Sequence, residues 1–182
     1  VAMPVFASDD TATEETADEK KEDAADDTEK PDVDLSDKKV GICIYQFSDN
    51  FMTLFRTELE NYLIELGFSK DNITIQDGAN DQATQSNQID AFIADGVDLL
   101  IINPVNSSSA ESITDKVVAA NIPLVYVNRE PSEDEEKRWE DNGWNVTYVG
   151  CDARQSGTMQ GEIIADLGLD TIDKNGNGKV DY

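Results

Sequence analysis

From residue 39 onward, short apolar runs rich in β-branched residues alternate with helix-length segments, and this rhythm restricts the fold more than any other feature. The runs at 39–45, 72–76, 97–102, 123–127 and 146–149 have the length and composition of buried strands. Between them, apolar side chains recur at helical spacing over 51–66, 82–94 and 109–120, and again over 156–167 after the last run. Punctuation agrees with these periods. Ser48, Asp49 and Asn50 stand where a helix cap belongs, Gly67 and Gly96 where helices stop, and Pro104 just past the third strand. Strands alternating with helices predict an α/β fold, a Rossmann-like parallel sheet with helices on both faces. The stretch between the fourth and fifth strands, with Trp139 and Trp144, reads as an acidic loop. Cys43 inside the first strand and Cys151 just past the fifth read as small core residues, a bridge between them being the alternative.

Charge narrows the function. The 182 residues carry 14 Lys and Arg against 39 Asp and Glu, a net charge of −25. Nucleic acid and anionic membrane surfaces need a basic face, so neither is expected as a partner. The absence of His removes Ser-His-Asp and Cys-His nucleophilic sites. Nothing else pairs a nucleophile with a base, and a non-enzyme is expected. No apolar stretch reaches the roughly 20 residues of a membrane span. Residues 8–37 hold 14 acidic and 3 basic side chains and no aromatic residue. Such a segment cannot offset its ordering entropy and is predicted to be a disordered acidic linker. Residues 1–7 fit the remnant of an export signal, which implies an extracytoplasmic location, periplasmic or at the cell surface.

Open parallel sheets bind ligands at the carboxyl ends of their strands. Here those ends carry Gln46 to Phe51 after the first strand, Asn103 to Asn106 after the third, and Asn128 to Pro131 after the fourth. Neither GxGxxG nor GxxxxGK[ST] follows the first strand, which argues against a nucleotide. Carboxylate and amide groups beside an aromatic ring suit a neutral polyhydroxylated ligand. Its hydroxyls donate to Asp and pair with Asn in both directions, while the ring covers the CH face.

Five segments in this order, Ile44-Tyr-Gln-Phe-Ser-Asp-Asn-Phe51, Ala79-Asn-Asp-Gln-Ala-Thr-Gln-Ser-Asn-Gln-Ile-Asp90, Leu100-Ile-Ile-Asn103, Asn128-Arg-Glu-Pro131 and Tyr148-Val-Gly-Cys-Asp152, resemble the galactose/glucose-binding proteins. These are periplasmic-type sugar-binding subunits of ABC importers, built from two Rossmann-like lobes. The resemblance implies a first lobe that binds a hexose such as galactose or glucose. It would deliver the sugar to the transporter's membrane subunits and, in some bacteria, to a chemoreceptor. It assigns Asp49 as the carboxylate accepting from sugar hydroxyls, Phe51 as the stacking aromatic and Asn103 as a hydrogen-bonding amide. Asn128 and Arg129 stand at a similar strand end, outside that set.

The last residues carry a second signal. Asp173, Asn175, Asn177 and Asp181 place oxygen side chains at positions 1, 3, 5 and 9 of a loop with Gly178 at position 6; Lys179 at position 7 can offer its carbonyl. This is the calcium-loop spacing of EF-hands, and the resembled family has a calcium loop here. The Glu of position 12 and the second lobe with its sugar-binding groups are expected past Tyr182. The expected organisation is therefore a fragment: signal remnant 1–7, linker 8–37, sugar-binding lobe 38–168, and 169–182 opening a partial structural Ca²⁺ site. The alternatives are a ligand-sensing domain of a LacI-type regulator or chemoreceptor-like sensor, and half of a dockerin repeat.

Overall fold

The computed structural model describes residues 33–179. The expected signal remnant, most of the acidic linker, and the calcium loop from residue 180 onward lie outside the described residues.

Five strands form one parallel sheet in the order β2-β1-β3-β4-β5. They are β1 (Val40–Ile44), β2 (Ile73–Asp77), β3 (Leu99–Ile102), β4 (Leu124–Val127) and β5 (Val146–Val149). β1 pairs with β2 on one side and β3 on the other, and all five of its residues are buried. Side chains alternate across the sheet. Val40, Ile42 and Ile44 join Ile101 and Val127 on one face, covered by Met52 and Leu63 of helix α1 (Asn50–Leu66). Cys43, Leu100, Ile102, Leu124 and Tyr126 face the other way. There they meet α2 (Gln82–Asp95) through Ile89 and Phe92 and α3 (Ala110–Ala119) through Ile113 and Val117. Helices thus lie on both faces, as the alternation predicts. Gly41 makes one of these contacts possible: a Cβ there would sit 2.7 Å from Cγ of Phe92, so the phenyl ring lies directly on the strand.

Two sequence expectations need correction. The segment between β4 and β5 is helix α4 (Glu133–Asn142), not a loop. Trp139 is its only large apolar side chain, so the segment carries no apolar period to read. Its start is nevertheless marked by Ser132-x-x-Glu135, where the Ser132 hydroxyl accepts from the Glu135 N–H at 3.3 Å. Four acidic residues in the first turn favour the positive helix end. Trp139 is buried and stacks on Tyr126 with ring centroids 5.4 Å apart. The second correction concerns the thiols. Cys43 is buried, and burial pushes its pKa up to about 12, but Cys151 is exposed; both are free.

Past β5 the character changes. Helix α5 (Ala153–Leu167) begins at an Asp152 cap that accepts from the Arg154 and Gln155 N–H groups. It leaves Met159, Ile163, Ile164 and Leu167 exposed, Ile163 at 63%. A single turn, α6 (Leu169–Ile172), follows it.

Candidate functional site

The loop after β1 is folded around Asp49. Its Oδ1 accepts from the Met52 N–H at 3.0 Å and so caps α1. Its Oδ2 accepts from the Tyr45 hydroxyl. The Tyr45 bond, then the Met52 N–H, hold the carboxyl below its ordinary pKa; the Arg129 charge adds a smaller pull. The same bond to Asp49, ahead of burial, pushes the Tyr45 phenol up. Asp49 therefore both caps the helix and remains a charged, half-exposed acceptor. Phe51, one residue into α1, is 61% exposed, with its ring 6.1 Å from that of Phe55.

Asn103, at the end of β3, sits differently. It is fully buried. Its N–H donates to the Cys43 carbonyl at 2.8 Å, and its Nδ2 donates to the Met52 sulfur at 2.9 Å. Among the described residues its Oδ1 has no hydrogen-bond partner. An unpaired buried acceptor is unfavourable by about 1–3 kcal/mol. The structure thus brings Asp49 and Phe51 together on an open rim and places Asn103 beneath it. Met52 touches both levels, through its N–H to Asp49 and its sulfur to Asn103.

Side chains from other elements pin these loops. Gln85 of α2, fully buried, donates from Nε2 to the Asn103 carbonyl and accepts at Oε1 from the Val105 N–H, each at 2.9 Å. Gln82 accepts from the Asn106 N–H at 3.1 Å. Asp77, ending β2, accepts from the N–H groups of Phe47 and Ala79. The Arg129 guanidinium lies 3.7 Å from the Tyr45 ring centroid and donates to the carbonyls of Pro104 and Val105. Sequence reasoning does not assign these pinning roles. A polar Gln85 one turn before Ile89, on the core face of α2, is the signal that points to one of them.

A groove of about 640 Å³ lies elsewhere, between the starts of α3 and α4. It is lined by Ser107, Glu111, Glu130, Asp134 and Arg138 and does not include Asp49 or Phe51.

The C-terminal loop folds on its own oxygens. Asp173 accepts from the Asn177 N–H at 3.0 Å and the Gly178 N–H at 2.6 Å. The side-chain oxygens of Asn175 and Asn177 accept from the N–H groups of Asn177 and Lys179. Gly176 and Gly178 have φ of 73° and 75°, which lets the chain curl this tightly. The donors are oxygen only and close to one another, a set that fits a hard cation. Asp181 lies outside the described residues. No group of three or more His, Cys, Asp or Glu side chains among the described residues is placed to hold a metal.

The chain resembles known proteins over this whole region. Its sequence is 33% identical over 149 residues to the D-galactose/methyl-galactoside binding periplasmic protein MglB of Haemophilus influenzae, covering 81% of this chain and 43% of MglB. A Bacillus halodurans ABC transporter solute binding protein with bound myo-inositol superposes with a TM-score of 0.59 at 30% identity, covering 74% of this chain and 43% of that one. A Clostridium phytofermentans solute binding protein with bound β-D-glucose gives 0.59 at 25% identity, over 74% and 38%. The chain therefore spans less than half the length of these relatives. Residues 40–180 match the periplasmic binding protein domain. With the parallel five-stranded sheet flanked by helices in agreement, the chain belongs to the periplasmic binding protein domain family.

Proposed function

We propose that this chain is one lobe of the substrate-binding subunit of an ABC sugar importer. The bound sugar is a hexose such as galactose or glucose. The observation that carries the reading is the pairing of a partnered, low-pKa carboxylate, Asp49, with the exposed ring of Phe51 at one strand end, in a chain 33% identical to a galactose-binding protein. Asp49 accepts from sugar hydroxyls, Phe51 covers the apolar ring face, and the unpartnered Oδ1 of Asn103 is a further acceptor beneath that rim. None of this is catalysis: the groups bind and orient. Residues 38–168 make an extracytoplasmic lobe whose partners are the transporter's membrane subunits and, in some bacteria, a chemoreceptor. A structural calcium ion is held at 169–182 by Asp173, Asn175, Asn177, the Lys179 carbonyl and Asp181. Bound there, it supplies charge to fix the loop, and no binding step passes through it.

A second lobe would supply groups for the opposite sugar face. Alone, the half-site offers two or three hydrogen bonds of about 0.5–1.5 kcal/mol each, against an association entropy of roughly 4–15 kcal/mol. The 182-residue chain should therefore bind no tighter than about 1 mM. Amide NMR with excess galactose, glucose, ribose and myo-inositol tests this, with shifts expected at Asp49 and Phe51. No shift with any of the four overturns the sugar reading; micromolar affinity overturns the two-lobe reading. The second reading is a cyclic polyol, favoured by the myo-inositol complex at 30% identity. The same panel separates it: only myo-inositol would then move these signals.

A further inference from the structure

Arg129, half-buried, joins the ends of three strands, β1, β3 and β4. Just past β4, Asn128 takes a left-handed φ of 64°, and the Arg129 N–H returns to the Val127 carbonyl at 2.7 Å. The turn is tied to β5 as well. The Asn128 N–H donates to the Val149 carbonyl at 3.1 Å, and the Tyr148 hydroxyl donates to the Asn128 carbonyl at 3.1 Å. This anchored turn sends the guanidinium back across the sheet. One face stacks on Tyr45, 3.7 Å from the centroid, while Nη1 donates in its own plane to Pro104 and Val105. A planar guanidinium can stack through its face and donate from its edge at once, and its charge strengthens both contacts.

Two chains of contact leave Arg129. One runs through the Tyr45 ring, whose hydroxyl donates to Asp49, the cap of α1. The other runs into the turn that begins at Asn103, which Gln85 grips from α2. We propose that Arg129 is a positioning residue for the sugar half-site, holding Asp49 through Tyr45 and the Asn103 turn through its carbonyls, so that groups from β1 and β3 are set from β4. Its purpose rests on the sugar reading above; its geometry does not. The charge of Arg129 also favours the Asp49 carboxylate directly, as a smaller influence than the Tyr45 hydroxyl.

The test uses the 182-residue chain with Arg129→Met, Arg129→Lys, Tyr45→Phe and the Arg129→Met/Tyr45→Phe double variant. Two readouts are followed: the Asp49 carboxyl titration by carbon NMR, and the amide shifts caused by galactose, glucose and myo-inositol. Arg129→Met should raise the Asp49 midpoint and weaken sugar binding about threefold to tenfold. Arg129→Lys should recover only part, because an ammonium cannot stack and donate to two carbonyls together. In the Tyr45→Phe background, Arg129→Met should change the midpoint much less. An unchanged Asp49 midpoint in Arg129→Met overturns the proposal. So does a full additive effect in the double variant, which would mean Arg129 acts on ligand or carboxylate without Tyr45. If the wild-type chain responds to no sugar, the sugar reading fails, and the Asp49 titration still decides the positioning role. Should Arg129→Met not fold, Arg129→Lys and Tyr45→Phe carry the same comparison.

Discussion

The sheet from β1 to β4 and the helix that follows β5 obey the same local rules and end in opposite environments. Both have capped helices: Asp49 accepts from Met52 at the start of α1, and Asp152 from Arg154 and Gln155 at the start of α5. Both place apolar residues three and four apart. Yet α1 seats Met52 and Leu63 in the core, whereas the apolar residues of α5 stay exposed. A cap and a period are enough to define a helix, but only a partner surface turns the period into burial. Among the described residues the partner surface is present for α1 to α4 alone.

Substitutions that read burial should separate the two regions most widely. Trp139→Ala removes a ring stacked on Tyr126 inside the core and should destabilise by about 3–5 kcal/mol in urea unfolding. Ile163→Ala on α5 should change stability by no more than about 0.5 kcal/mol. Equal effects would break the contrast and mean that α5 packs in solution.

Next comes the grip on the strand ends. Gln85→Ala leaves the Asn103 carbonyl and the Val105 N–H without partners and should destabilise by about 1–3 kcal/mol. Amide exchange should quicken at Val105 well before it does in β1. Unchanged exchange there would show that the turn holds without Gln85.

The smallest effects are in pH dependence, and they have opposite signs in two places. The Asp49 carboxyl titrates below its ordinary value. Its contribution is therefore complete above the unfolded pKa of about 3.9 and is lost as pH falls through the folded value. Tyr45→Phe should flatten that acid limb of the stability curve. Glu136 on α4 is the reverse. Burial, then the charges of Glu130, Glu140 and Glu133, push its carboxyl up, and its Oε1 is buried without a partner among the described residues. Its contribution is favourable below the unfolded pKa of about 4.3 and is lost as pH rises through the folded value. Glu136→Gln should thus raise the neutral-pH melting temperature slightly. A lower one would show that the charge is stabilising.

Strands were legible because buried parallel strands are continuous apolar runs, and β1 and β3 are such runs in plain view. Helix α4 was not, because its stability comes from a cap, an acidic first turn and one tryptophan rather than a stripe. At the site, Asp49 and Phe51 could be read from adjacency to a strand end. The burial of Asn103 could not, since it depends on Met52 of α1, 51 residues earlier, lying over it. The roles of Gln85 and Arg129 escape for the same reason: each acts on a turn about twenty residues or more away, and no local pattern encodes that separation.

The strand order has a consequence for how such a chain is assembled. After β1 and β2 pair, β3 adds to the open side of β1, β4 to β3, and β5 to β4. Each strand joins the edge left by an earlier one, and none is inserted between two already in place. A chain emerging from the ribosome can therefore build this sheet outward in the order of synthesis, with β1 as the founding member. Nascent chains arrested after α3 should already protect β1 from protease, and exposure of β1 at that point would rule out growth in this order.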